Sequence, residues 1–290
     1  MLTASGMAAI DAALSVFHDP ADGRPRLFAS EIYGGTKTFL DLVMRAKRGA
    51  PVRYVDVRGD DAGATATERM IEGIRAERPA LVYFEPVTNP LLIVLDAPAI
   101  IRVAKEVGAA AIVDNTFGTP LLLKPLAPGA DLVVHSVTKY LSGHGDLTAG
   151  AICGADGGRR LPPGCQALGT DGTLRDAVRN YRKFAGAVPG PLDAYRLGTE
   201  LRTFALRVQR QMDNAARLAR FLEGHERVRR VLYPGLPGHP SHGTARRLFG
   251  NRGFGAIVTF ELEGGAEAAL WGCPGSDTAG EVVMRRQAGP

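Results

Sequence analysis

The chain has 290 residues, 45% of them hydrophobic and 22% charged, a globular composition that excludes a disordered chain. At roughly 100–200 residues per domain the length allows one large domain or two ordinary ones, and no apolar run approaches the ~20 residues of a membrane-spanning helix. The net charge of +5 rests on six lysines and 29 arginines, and the arginines recurring from Arg202 to Arg230 read as a solvated helix face rather than a nucleic-acid surface. In chain order, Ser5 caps a predicted helix over 6–17, and strands follow over 26–29 and 52–57. A helix over 67–77 carries Met70, Ile71 and Ile74 on one face. A strand over 80–84 precedes a helix over 97–107, capped by Asp96 with a proline in its first turn. Strands over 109–113, 131–135 and 149–152 complete the series. These strands are rich in Val, Ile, Leu and Ala with little polar alternation, as strands covered on both faces are. Strand–helix–strand alternation predicts a mostly parallel sheet in a three-layer α/β domain. A breaker cluster at 187–191 marks a boundary. Beyond it a helix over 199–222 and a strand over 256–262 predict a second, smaller α+β domain. We place the domains at 1–187 and 188–290, the second one incomplete, because the stretch after about 265 is turn-rich and carries little periodic signal.

The cysteines Cys153, Cys165 and Cys273 are odd in number and lack paired spacing. That argues against a disulfide framework and a four-ligand zinc site, and it fits a reducing cytoplasm. No charged-then-apolar signal region follows Met1. His144, and the pair His239 and His242, lack the spacing of helical metal ligands, so no metal is expected.

The informative positions cluster at strand ends, where open α/β sheets bind ligands. Asp114 ends a strand that should be buried, and a lone carboxylate there is costly unless paired. Ser136 and Thr138 precede Lys139 at another strand end, and in extended chain the two hydroxyls project to one side. Gly6 and Met7 open a helix whose free N–H groups suit an anion. Tyr33 leads into a glycine turn, and Glu85 and Asn89 lie in a polar turn. Pyridoxal 5'-phosphate would employ all of these. It needs a lysine for its aldehyde, an acid for its ring nitrogen, donors for its phosphate and an aromatic ring against its face.

Here the sequence resembles the Cys/Met metabolism family of pyridoxal-phosphate enzymes, which includes cystathionine gamma-synthase, cystathionine gamma-lyase, cystathionine beta-lyase and methionine gamma-lyase. The resemblance rests on SGMAA at 5–9, YGGT at 33–36, TNP at 88–90, VDNTF at 113–117, HSVTKYLSGHGD at 135–146, YPGL at 233–236 and GAIVTFEL at 255–262. It implies the fold-type I architecture, a mostly parallel seven-stranded sheet with helices on both faces and a smaller C-terminal domain. It implies that Lys139 carries the cofactor in Schiff-base linkage and shuttles protons, and that Asp114 pairs with the ring nitrogen. Ser136, Thr138 and the amides of Gly6 and Met7 hold the phosphate. Tyr33 stacks on the ring and assists proton transfer, Asn89 approaches the phenolic oxygen, and Glu85 supports the site. The implied chemistry is beta- or gamma-elimination, or gamma-replacement, on a sulfur amino acid or activated homoserine by a homo-oligomer, dimer or tetramer, with no nucleic-acid or membrane partner. Two departures stand out. Gly35 occupies the position where methionine gamma-lyases carry a cysteine. The family's N-terminal arm and its carboxylate-binding arginine have no counterpart, so the resemblance implies a chain shortened at both ends. The alternative is a chain that binds cofactor with little or no turnover.

Overall fold

A computed structural model describes residues 1–58, 65–155 and 172–264. Cys165, Cys273 and the turn-rich tail lie outside these residues. The centre is a seven-stranded sheet of β1 (Leu2–Thr3), β2 (Arg26–Ala29), β3 (Val52–Val55), β4 (Leu81–Phe84), β5 (Ala110–Asp114), β6 (Leu132–Ser136) and β7 (Gly150–Gly154). The strand order is β1-β7-β6-β5-β4-β2-β3. Strands β2 to β6 pair in parallel, while β7 runs antiparallel to β6 and β1 antiparallel to β7. The mostly parallel α/β architecture expected from the sequence is therefore present. Every residue of β2, β4 and β5 is buried, which explains why these strands show no polar alternation.

The helices that cover the sheet begin at the caps the sequence supplies. α1 (Gly6–Ser15) starts where the Ser5 hydroxyl accepts the Ala8 N–H. α2 (Gly34–Phe39) runs on into a single wide turn over Leu40–Arg45. α3 (Ala66–Glu77) opens with a capping box of Thr65 and Glu68. α4 (Ala97–Glu106) starts where Asp96 accepts the Ala99 N–H. The short α5 (Thr119–Leu122) follows β5. One apolar core joins α1, α3, α4 and the sheet, with Phe28, Tyr83 and Phe84 among its largest side chains.

After β7 the chain turns helical. α6 (Leu174–Phe184), α7 (Pro191–Glu200) and α8 (Phe204–Glu223) lead to a two-stranded antiparallel sheet of β8 (Val228–Leu232) and β9 (Thr259–Leu262), with α9 (His242–Phe249) between them. A second core packs Val208 and Met212 of α8 and Phe249 of α9 against Val87, Leu92 and Leu122, loop and helix residues beyond the strand ends. That packing fixes α8 near the end of the sheet where the parallel strands finish.

Candidate active site

The C-terminal strand ends converge at β4, β5 and β6. Asp114 is the last residue of β5 and lies level with Val134 of β6. It is buried. Tyr83 Oη of β4 donates to its Oδ2 at 3.0 Å. The Thr116 N–H and hydroxyl donate to its Oδ1 at 3.0 and 2.6 Å. Burial pushes the Asp114 carboxyl above its ordinary range, and the Thr116 and Tyr83 donors pull the other way. Thr116 also accepts the Ser136 N–H at 2.8 Å, tying the ends of β5 and β6 together. Neither Tyr83 nor Thr116 carried a role in the sequence reading. Tyr83 showed one faint signal, the only polar side-chain atom in an otherwise apolar strand.

Glu85 follows β4 and is buried. Its Oε1 accepts the Tyr33 N–H at 2.7 Å, 52 residues away in sequence, and the Asn89 N–H donates to it as well. This carboxylate therefore holds together the two turns that carry Tyr33 and Asn89. Burial first, and the nearby Asp114 charge second, raise the Glu85 carboxyl well above the usual range. The Tyr33 side chain itself is 47% exposed at the start of α2.

A second corner forms where β6, β7 and α1 meet. Ser136 pairs with Gly150 of β7, and Gly150 pairs with Thr3 of β1. The N-terminus of α1 presses onto this point. A Cβ on Gly6 would lie 2.9 Å from Ser136 Cβ, and one on Gly150 would lie 2.2 Å from the Ser5 carbonyl oxygen. The amides of Gly6 and Met7 are first-turn N–H groups with no acceptor inside the helix, and the Ser136 hydroxyl oxygen lies 3.0 Å from where a Gly6 Cβ would be.

Thr138 is placed otherwise than its spacing predicts. β6 ends at Ser136 and the chain turns over 137–140, so the extended geometry that would set both hydroxyls on one side stops short. The Thr138 hydroxyl is bonded to the Ala149 backbone, donating at 3.3 Å and accepting at 3.1 Å. Lys139 is exposed on this turn, with its N–H on the Ser136 carbonyl at 3.2 Å.

The histidines serve the fold. His135 is buried in β6, and burial lowers it to about 4. His239 accepts the Ser241 N–H at 3.1 Å, and His242 Nδ1 lies 2.9 Å from the Pro234 carbonyl oxygen. His144, Asp146 and Glu200 do come together, but His144 pairs with Glu200 at 3.8 Å and Asp146 with Arg196 at 3.4 Å.

A buried acid on one strand end and an anion-ready corner on the next fit pyridoxal phosphate, whose ring nitrogen and phosphate need those two environments. Comparison with known proteins agrees. The sequence pattern of the family described as Cys/Met metabolism PLP-dependent enzyme matches residues 1–271. The cystathionine gamma-synthase of Mycobacterium tuberculosis is 39% identical over 267 residues, 91% of this chain and 61% of that protein. A cystathionine beta-lyase of Lactococcus lactis subsp. lactis is 37% identical over 259 residues, 89% of this chain and 60% of that protein. The crystal structure of cystathionine gamma synthase from Xanthomonas oryzae pv. oryzae, in complex with aminoacrylate and cysteine, matches with a TM-score of 0.77 at 34% identity. That match covers 93% of this chain and 62% of the other. The chain thus spans 60–61% of the length of these two curated relatives. By sequence pattern and by fold, the chain belongs to the Cys/Met metabolism PLP-dependent enzyme family.

Proposed function

We propose that the chain binds pyridoxal 5'-phosphate at the ends of β4, β5 and β6. We further propose that it acts on a sulfur amino acid or an activated homoserine, by beta- or gamma-elimination or gamma-replacement. The observation that carries this reading is Asp114, buried at the end of β5, one strand from the corner where Ser136 meets the N-terminus of α1. Asp114 would take the protonated ring nitrogen. Ser136, Thr138 and the amides of Gly6 and Met7 would take the phosphate, Tyr33 the ring face, Asn89 the phenolic side and Lys139 the aldehyde. Bound there, the cofactor supplies an electron sink for the charge left when the substrate's alpha carbon loses a proton.

The residues divide the remaining work. Asp114 already accepts three hydrogen bonds and still has lone-pair capacity for an N–H. A cation beside it would draw its raised carboxyl back toward the ionised form. Lys139 Nζ would be the base that takes the alpha proton and returns it to a neighbouring carbon. Tyr33 is placed by Glu85 through its backbone, which leaves its phenol free to face the leaving group. The reading also takes a homo-oligomer. Leu192 and Tyr195 of α7 and Phe184 of α6 are 67%, 74% and 69% exposed, large apolar groups suited to a self-association surface. Among the described residues no helix is long and apolar enough to cross a membrane. The cytoplasm is the compartment we propose.

The test is to soak the full chain in pyridoxal 5'-phosphate, reduce with borohydride and map the modified lysine. We expect label on Lys139 and none in Lys139→Ala. A second, unreduced portion of the cofactor-soaked protein is assayed for thioether from cysteine and an acylated homoserine, and for ammonia and 2-oxo acid from cystathionine. Label without turnover would leave a cofactor-binding chain of little activity. A colourless protein without label at Lys139 overturns the reading.

A further inference from the structure

The turn that carries Lys139 is held from outside the sheet. Past Ser136 its backbone closes on itself, with the Lys139 N–H on the Ser136 carbonyl at 3.2 Å and the Ser142 N–H on the Val137 carbonyl at 2.9 Å. Two further carbonyls, of Tyr140 and Leu141, are taken by one side chain from the first turn of α8. Arg207 Nη1 donates to Tyr140 O and Nη2 to Leu141 O, each at 3.3 Å. The same guanidinium is anchored at its base, where Nε donates to Thr203 Oγ1 and Nη2 to the Glu200 carbonyl, both at 3.0 Å. Four of its five N–H groups are thereby committed. Gly143 makes room for it. A Cβ there would lie 1.8 Å from Arg207 Nη1, and the Gly143 φ of +79° already favours glycine.

A planar fork on two successive carbonyls fixes the orientation of the peptide planes 140–141 and 141–142, one residue beyond Lys139. It thereby restrains the direction in which Lys139 leaves the backbone. An ammonium is a point charge and cannot reproduce two parallel bonds. The loop also meets α7 through Val137 and Leu147 packed on Leu197, through Arg196 donating to the Asp146 carbonyl at 3.3 Å, and through the pairs His144–Glu200 and Arg196–Asp146, but it is Arg207 that bonds the Tyr140 and Leu141 carbonyls. At 3.3 Å the bonds to the loop lie just past the usual range, so the 3.0 Å anchors to Thr203 and Glu200 set where the guanidinium sits.

We propose that Arg207 is a positioning residue for Lys139, acting through the carbonyls of Tyr140 and Leu141. This rests on the reading of Lys139 given above. The experiment follows the rate of borohydride-trapped cofactor at Lys139 in the full chain and in Arg207→Ala, Arg207→Lys and Thr203→Val. The pH midpoint of the bound chromophore's absorbance and the thermal melt of cofactor-free protein are recorded alongside. Misplacement near a reacting centre costs up to 10²-fold, so we expect Arg207→Ala to trap cofactor roughly tenfold more slowly, with a shifted chromophore midpoint. Arg207→Lys should recover only part of the rate. Thr203→Val, at an exposed position, should slow trapping by a smaller factor with its melt unchanged. If Arg207→Ala does not fold, the other two variants decide. Trapping at the unmodified rate, with an unmoved midpoint, in Arg207→Lys and Thr203→Val overturns the proposal while leaving Lys139 as the labelled residue. Absence of label in the unaltered chain overturns the reading of Lys139 itself.

Discussion

Two hydroxyls beside Lys139 are alike in sequence and different in their bonds. Thr138 would have to release the Ala149 carbonyl before its proton could serve a phosphate. Ser136 lies against Gly6, and its hydroxyl carries no such bond. A hydrogen bond to a charged group is worth about 1.5–3 kcal/mol, so Ser136→Ala should weaken cofactor binding about tenfold or more, and Thr138→Val by less. Fluorescence titration with pyridoxal 5'-phosphate measures both. Glu85 makes a prediction of the opposite kind. Its carboxyl is raised in the folded chain, so the stability tied to its protonated form is present at acid pH and is lost as pH rises through the folded value. Glu85→Gln keeps an oxygen for the Tyr33 and Asn89 amides without the charge. Cofactor-free Glu85→Gln should therefore melt above the unaltered chain at pH 8, with the gap closing toward the ordinary carboxylate range. At this scale the placement of Asp114 and Ser136 was legible, because polar groups at the ends of apolar strands stand out, and that of Gly6 because Ser5 marks a helix start. Tyr83, Thr116 and Arg207 were not. Tyr83 and Arg207 act through partners 31 and 67 residues distant, and Thr116 joins its neighbour Asp114 to Ser136, 20 residues on; no local pattern encodes such distant pairs.

Elements were legible where the chain marks their ends. Ser5 and Asp96 cap helices within a residue or two of the sequence expectation, and β2 falls on 26–29 as read. α7 was missed because Pro191 reads as a breaker, although a proline is at home in the first turn of a helix. β8 was missed because Arg229 and Arg230 interrupt its apolar run; Val228 to Leu232 is a strand by virtue of pairing with β9. The predicted helix over 199–222 is α8 with a tighter single turn, Leu201–Thr203, ahead of it. The contact of α1 with β6 also makes a prediction. The helix can approach the sheet only because position 6 has no side chain, since a Cβ there would lie 2.9 Å from Ser136 Cβ. Gly6→Ala forces the helix N-terminus away from Ser136, an overpacking that costs about 1–3 kcal/mol. It should also lower cofactor affinity. Ser5→Ala removes only the cap, at about 1 kcal/mol. Both should therefore destabilise on chemical denaturation, while Gly6→Ala loses the larger share of cofactor binding.

For the whole molecule, pH acts on three sets of groups with different signs, of which Asp56 is exposed and the others buried. Glu85 and Asp114, both raised, disfavour the folded chain as pH rises. Asp56, held down to about 2 chiefly by its hydrogen bond with Arg58, contributes stability that is lost only as pH falls below the ordinary carboxylate range. The histidines act between about 4 and 6.5, where the raised Glu85 and Asp114 oppose them. His135 in the large sheet and His239 ahead of α9 are both lowered to about 4, chiefly by burial. They remain neutral in the folded chain while an unfolded chain would protonate them near 6.5. Their contribution is present above 6.5 and is lost as pH falls toward 4. Each proton adds about 1.4 kcal/mol per pH unit to that slope, so His135 alone accounts for about 3 kcal/mol across the window. The two residues belong to separate regions, one within the large sheet and one beside β8, so their effects should add. Urea denaturation at intervals between pH 7 and 4.5 should show stability falling with a slope of about two protons from this pair. His135→Gln and His239→Gln should each remove about one proton from that slope. A slope that the double substitution leaves unchanged would mean that neither ring is excluded from water in the folded protein.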